Sequence, residues 1–163
     1  MHALTEKDVR ASFVNASLRE RNAIPLPDRF PDVGWGAIDF LGWRDPKLPL
    51  MGYIIVPVDE KPVGILLRET ESRTRARPQC SWCADVTLPN DVAFFIAKRA
   101  GASGRNGNTI GTLACARFEC NGNVRKPPLV AYLGFDVEAA RQRRIEALRT
   151  SVTGFARDVR DGA

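Results

Sequence analysis

The sequence predicts one α+β domain over residues 1–163, a mainly antiparallel sheet between an N-terminal helix and a long C-terminal helix. Three observations predict it. Two apolar, β-rich runs at 52–58 and 62–68 are joined by Asp59-Glu60-Lys61, the spacing of a hairpin. Further β-rich runs follow without the strand–helix–strand repeat of a parallel sheet. Helical periodicity is confined to the two ends of the chain.

Thr5 is placed to cap the first helix, with Glu6 and Asp8 at the positive end of its dipole. Val9, Phe13 and Ala16 recur at helical spacing, and Asn22 and Pro25 end the helix. Pro25, Pro27 and Pro31 make the next stretch extended. Residues 33–46, with two tryptophans and Phe40 among glycines, read as a loop packed over a core. After the hairpin come strands at 91–98 and 109–115. The stretch between them, 101–108, is a turn-rich polar loop. Asn121-Gly122-Asn123 breaks any short helix, and a short apolar run occupies 129–132. Asp136 caps a final helix over 137–159, which buries Ile145, Leu148, Val152, Phe155 and Val159. Arg141, Arg143, Arg144, Arg149 and Arg157 fall on its other face, which reads as solvated.

Composition sets outer limits. With 44% hydrophobic and 26% charged residues the chain is an ordinary globular sequence. It holds no apolar run of membrane-spanning length and begins without a signal-peptide pattern, so a cytoplasmic monomer is expected. The net charge of +5 is uneven. Residues 1–60 hold 7 basic and 9 acidic side chains, and residues 61–163 hold 17 and 10. Arg73, Arg75, Arg77, Arg105, Arg117, Arg125 and Lys126 gather around the cysteines, a bias that favours an acidic or polyanionic partner.

All four cysteines lie in two pairs, Cys80-x2-Cys83 and Cys115-x4-Cys120, separated by 31 residues. Paired thiols presented by tight turns suit a tetrahedral metal site, with zinc about 2.3 Å from each sulfur. The second pair suits either the first turn of a helix or an irregular knuckle. Disulfides fit less well, because nothing suggests an oxidising compartment. A redox C-x-x-C would want a following helix, and Pro89-Asn90 leaves little room for one. The single histidine, His2, sits at the N-terminus, which argues against a Ser-His or Cys-His nucleophile. Four thiol ligands would leave no open metal position, so a binding module is expected rather than an enzyme.

The stretch 100–112, running into Cys115 and Cys120, resembles the treble-clef zinc-finger domain of elongation factor G-binding proteins, typified by the FusB-type fusidic acid resistance proteins. Residues 9–15, residues 39–46 and the Cys80–Cys83 knuckle agree with it, so the core of the resemblance covers about 8–126, with the C-terminal helix at about 137–159 as a further part. It implies a treble-clef fold and one structural zinc on Cys80, Cys83, Cys115 and Cys120. It also implies binding to elongation factor G, or a related translational GTPase, and its release from the ribosome. The alternative is a zinc-finger module that binds RNA or the ribosome without a GTPase partner. The candidate partner-binding residues are Trp82, Arg105, Asn108 and Arg117. Trp82 reads either as an anchor for the partner or as a cap on the core beside the zinc.

Overall fold

The computed structural model describes residues 1–70, 78–87, 89–128 and 132–162. Five strands make one antiparallel meander in chain order: β1 (Leu41–Arg44), β2 (Met51–Val58), β3 (Lys61–Glu69), β4 (Val92–Lys98) and β5 (Thr109–Cys115). The α+β class, the antiparallel sheet and the long last helix are as the sequence predicts.

β2 and β3 pair in register from Met51↔Arg68 to Val58↔Lys61, closed by a two-residue turn. Asp59 and Glu60 both take left-handed backbone conformations there, φ 50° and 62°, as a tight hairpin turn requires. The conformational cost is offset where Asp59 accepts from Arg157 (2.9 Å) and Arg160 (3.0 Å) of the last helix. β3 and β4 share only two residue pairs, Arg68↔Ile96 and Glu69↔Phe95.

The back of the sheet carries α5 (Val137–Asp161). Asp136 caps it, accepting from the Ala139 amide at 2.9 Å, as expected. Leu148, Val152, Phe155 and Val159 are buried beneath it, while Ile145 is only partly buried. Each fully buried side chain of this kind contributes about 1.5–3 kcal/mol. The helix's last carbonyls are met by Arg99, whose guanidinium donates to Asp158 O, and by the Ala100 amide, which donates to Val159 O. Its arginine face is not merely solvated. Arg149 pairs with buried Asp39, Arg157 with Asp59, and Arg141 with Glu138.

The front of the sheet carries the N-terminal layer, and here the single predicted helix is two. α1 (Glu6–Ser12) and α2 (Leu18–Ala23) each begin with a capping box, Thr5 with Asp8 and Ser17 with Glu20. The chain between them docks on β3. The Val14 amide donates to Gly64 O, and Asn15 bonds both backbone groups of Leu66. Helical continuation would forfeit those bonds. Gly64 is needed for this approach, since a Cβ there would lie 2.5 Å from Ser12 Oγ.

Three other expectations change. Residues 33–46 contain the edge strand β1, with Leu41 and Trp43 buried on its inner face. The loop at 101–108 begins with a helical turn, α3 (Gly101–Arg105). Gly104 lets it fold back, because a Cβ would meet the Arg99 carbonyl oxygen at 1.7 Å. Asn121-Gly122-Asn123 lies inside α4 (Cys120–Arg125) rather than breaking it. Both asparagines bond outside their own helix, which offsets their poor helix propensity. Of the run at 129–132, residues 129–131 fall outside the described residues.

Candidate metal centre

The four cysteines arrive on three elements. Cys80 and Cys83 bracket a tight turn, Cys115 ends β5, and Cys120 opens α4. All four are buried, unbridged and on the back of the sheet. Their sulfur atoms lie within 4.8 Å of one another, with Cys80–Cys120 at 3.7 Å and Cys83–Cys115 at 3.5 Å. A tetrahedron with metal–sulfur bonds of about 2.3 Å has edges of about 3.8 Å. The donor set therefore fits zinc.

The surroundings suit thiolates. The amides of Trp82 and Cys83 point at Cys80 Sγ, at 3.4 and 3.5 Å. Asn90 and Asn123 each donate to Cys115 Sγ at 3.5 Å, and Asn123 also faces Cys83 Sγ at 4.0 Å. Lys126 donates to Asn123 Oδ1, and Arg144 holds the Asn123 carbonyl at 2.9 Å. Such outer donors orient the ligands and spread the thiolate charge. The neighbouring thiols Cys115, Cys120 and Cys83 hold Cys80 below the usual thiol range, while Cys115, Cys80, Cys83 and burial push Cys120 above it.

Both knuckles contain a left-handed residue other than glycine, Ala84 (φ 51°) and Phe118 (φ 61°). Such conformations cost about 1–2 kcal/mol and persist where packing enforces them. Phe118 shows how. Its side chain lies over the sheet where Gly42 and Gly52 leave room, and a Cβ at those positions would come within 2.6 and 2.8 Å of it. Its ring meets Phe95 at 5.1 Å and Trp82 at 6.4 Å.

A family model, the FBP C-terminal treble-clef zinc-finger, matches residues 8–159. The chain belongs to this family. Family membership and the clustered thiols together make the metal zinc, one structural ion per chain. The match extends through α5, taking in the last helix as well as the core of about 8–126. Among solved structures, a chain of the fusidic acid resistance protein FusC aligns at 23% identity with a TM-score of 0.49, covering 64% of this chain and 47% of that one. The aligned part spans about half the length of FusC. No curated protein matches.

The candidate partner residues separate. Arg105, Asn108 and Arg117 are exposed, and Asn108 donates to Ser103 Oγ at 3.0 Å. Trp82 is only 3% exposed, which corrects its reading as a surface anchor. Its indole packs against Phe40 (5.6 Å) and Phe155 (5.7 Å), capping the core beside the zinc. Of the basic cluster, Arg125 pairs with Asp39 at 2.8 Å, and Arg73, Arg75 and Arg77 fall outside the described residues.

Sequence reading missed the turn at 132–135. Tyr132 is 65% exposed and Leu133 fully exposed, beside a positive-φ Gly134. The Tyr-Leu-Gly-Phe string before a helix cap was its available signal.

Proposed function

We propose that the chain is a cytoplasmic, non-enzymatic module that binds elongation factor G or a related translational GTPase and promotes its release from the ribosome. The observation that carries this reading is the family match over 8–159, joined to the motif resemblance to elongation factor G-binding proteins. Two features support it. Four protein sulfurs complete the coordination of a structural zinc, so the metal has no open position for chemistry. The chain ahead of the last helix presents an apolar turn, Tyr132-Leu133, with Tyr132 packed edge-on to Phe135 at 5.4 Å. An exposed tyrosine is a frequent anchor at protein interfaces. Tyr132 and Leu133 take the role that buried Trp82 does not fill.

The test is capture of purified elongation factor G by the zinc-loaded chain, as parent and as Leu133→Asp. The parent should retain the factor and the variant should lose it while melting like the parent. A parent that retains nothing at low salt ends the proposal. Equal retention by both proteins keeps the partner and moves the interface away from the turn.

A further inference from the structure

We propose that Asn106-Gly107 is a modification site of the folded chain, where Asn106 loses its side-chain amide and becomes isoaspartate or aspartate. Asparagine before glycine is the pair that undergoes this reaction fastest, because no side chain shields the backbone nitrogen that follows. The chain has two such pairs, Asn106-Gly107 and Asn121-Gly122. The structure separates them. Asn106 and Gly107 are both exposed, at the end of α3 in the connection between β4 and β5. The Asn106 side chain forms no hydrogen bond among the described residues. Gly107 stands in open space at φ 87°, where even a Cβ would meet nothing within 4 Å. Its amide is held by one bond, to Gly104 O at 3.1 Å. α3 has five residues, too few to hold a helix by themselves, so this bond opens readily.

Asn121 is tied down where Asn106 is loose. Its Oδ1 accepts from the Asp39 amide at 2.7 Å, and its Nδ2 donates to Phe40 O at 2.8 Å. Its own carbonyl accepts from Arg125 at 3.0 Å, and it lies in α4 directly after the zinc ligand Cys120. Reaction there would break both side-chain bonds and turn the helix backbone.

The chemistry balances without an oxidant or a second protein. The Gly107 nitrogen attacks Asn106 Cγ. The N–Cγ bond forms, the Cγ–Nδ2 bond breaks, and ammonia leaves with the amide proton. Water then opens the five-membered succinimide. Addition at Cγ gives aspartate, and addition at the main-chain carbonyl carbon gives isoaspartate, whose chain continues through Cγ. Either product puts a carboxylate beside Arg105 and lowers the net charge of +5 by one. Isoaspartate also adds a methylene to the main chain of the turn.

The experiment incubates the zinc-loaded full chain at mildly alkaline pH, beside a sample unfolded in guanidinium. Both are digested with an acid protease, at a pH that stalls the reaction, and the amide-to-acid mass shift is placed by fragmentation mass spectrometry. Isoaspartate is read separately, by labelling with an isoaspartyl carboxyl methyltransferase. In the folded chain Asn106 should convert about tenfold or more faster than Asn121, since the bonds that hold Asn121 must open first. In the unfolded chain the two should convert at similar rates. Asn106→Gln, whose longer side chain cannot close the five-membered ring, should abolish the isoaspartate label in the folded protein. Conversion of Asn121 as fast as Asn106 in the folded chain overturns the proposal. So does an Asn106 that stays an amide while the unfolded sample converts, or a label that survives in Asn106→Gln. The assay contains no translation factor, so it stands or fails independently of the proposed function.

Discussion

Replacing Trp82 by alanine should cost about 3–5 kcal/mol of stability, the usual range for truncating a buried tryptophan. The magnitude follows from position. The indole is 3% exposed and has Phe40, Phe155 and Phe118 within 6.4 Å, so truncation leaves a cavity bounded by the sheet, α5 and the second knuckle. Little relaxation is available, because both knuckles are tied to one metal. Alanine keeps the backbone amide that donates to Cys80 Sγ, so the variant should still hold one zinc. For a domain of this size the melting temperature should fall by about 6–20 °C. Denaturant unfolding of zinc-loaded parent and variant, with metal content measured on each, is the assay. A surface anchor would behave differently, since exposed substitutions usually stay within about 0.5 kcal/mol. A loss below 1 kcal/mol accompanied by loss of the protein partner would refute the placement of Trp82 in the core.

Gly42→Ala touches no cysteine, yet it should loosen the zinc site, because its Cβ would press on the Phe118 side chain between Cys115 and Cys120. The expected cost is about 1–3 kcal/mol, with faster zinc transfer to a chromophoric chelator; unchanged transfer would show that the knuckle does not depend on the sheet. Asn123→Leu removes the side-chain donor to Cys115 and Cys83 and should weaken zinc about 10- to 100-fold in the same competition. Asp45 is held below the usual carboxylate range. Burial opposes this shift, but the Tyr53 hydroxyl and the Lys47 and Leu48 amides together outweigh it. Its contribution should therefore be present above about pH 4 and lost as pH falls through the depressed folded value. The stability gap between parent and Asp45→Asn should narrow on acidification, and a gap that widens instead would contradict the sign.

What the sequence made legible was what local chemistry decides. The hairpin at Asp59-Glu60, the Asp136 cap and the apolar stripe of α5 depend on neighbours a few residues away, and they appear where expected. The cysteine pairs were legible because a metal demands a spacing. The misses are tertiary. Phe13 to Ala16 has helical periodicity, but Asn15 finds the Leu66 backbone 51 residues away and the helix divides there. Ser17-x-x-Glu20 was the readable sign of the second start. β1 is four residues long, too short for alternation to stand out among glycines. Trp82 could not be placed from its spacing, because a knuckle fixes where its ligands point and not what lies behind the turn.

The basic cluster around the cysteines has two separate causes. Four thiolates and one zinc ion carry a formal charge of about −2, which must be met within the fold. Lys126 and Arg144 meet it through Asn123, and Arg125 serves buried Asp39 rather than solvent. These cations are part of the scaffold, so a variant at Lys126 or Arg144 that loses a partner would report a loosened zinc site and not a lost contact. The charge free for a partner is the remainder. Arg105 and Arg117 are exposed without ion pairs among the described residues. Arg105 lies on α3, away from the four ligands in the chain, so a charge reversal there can interrogate binding without disturbing the zinc.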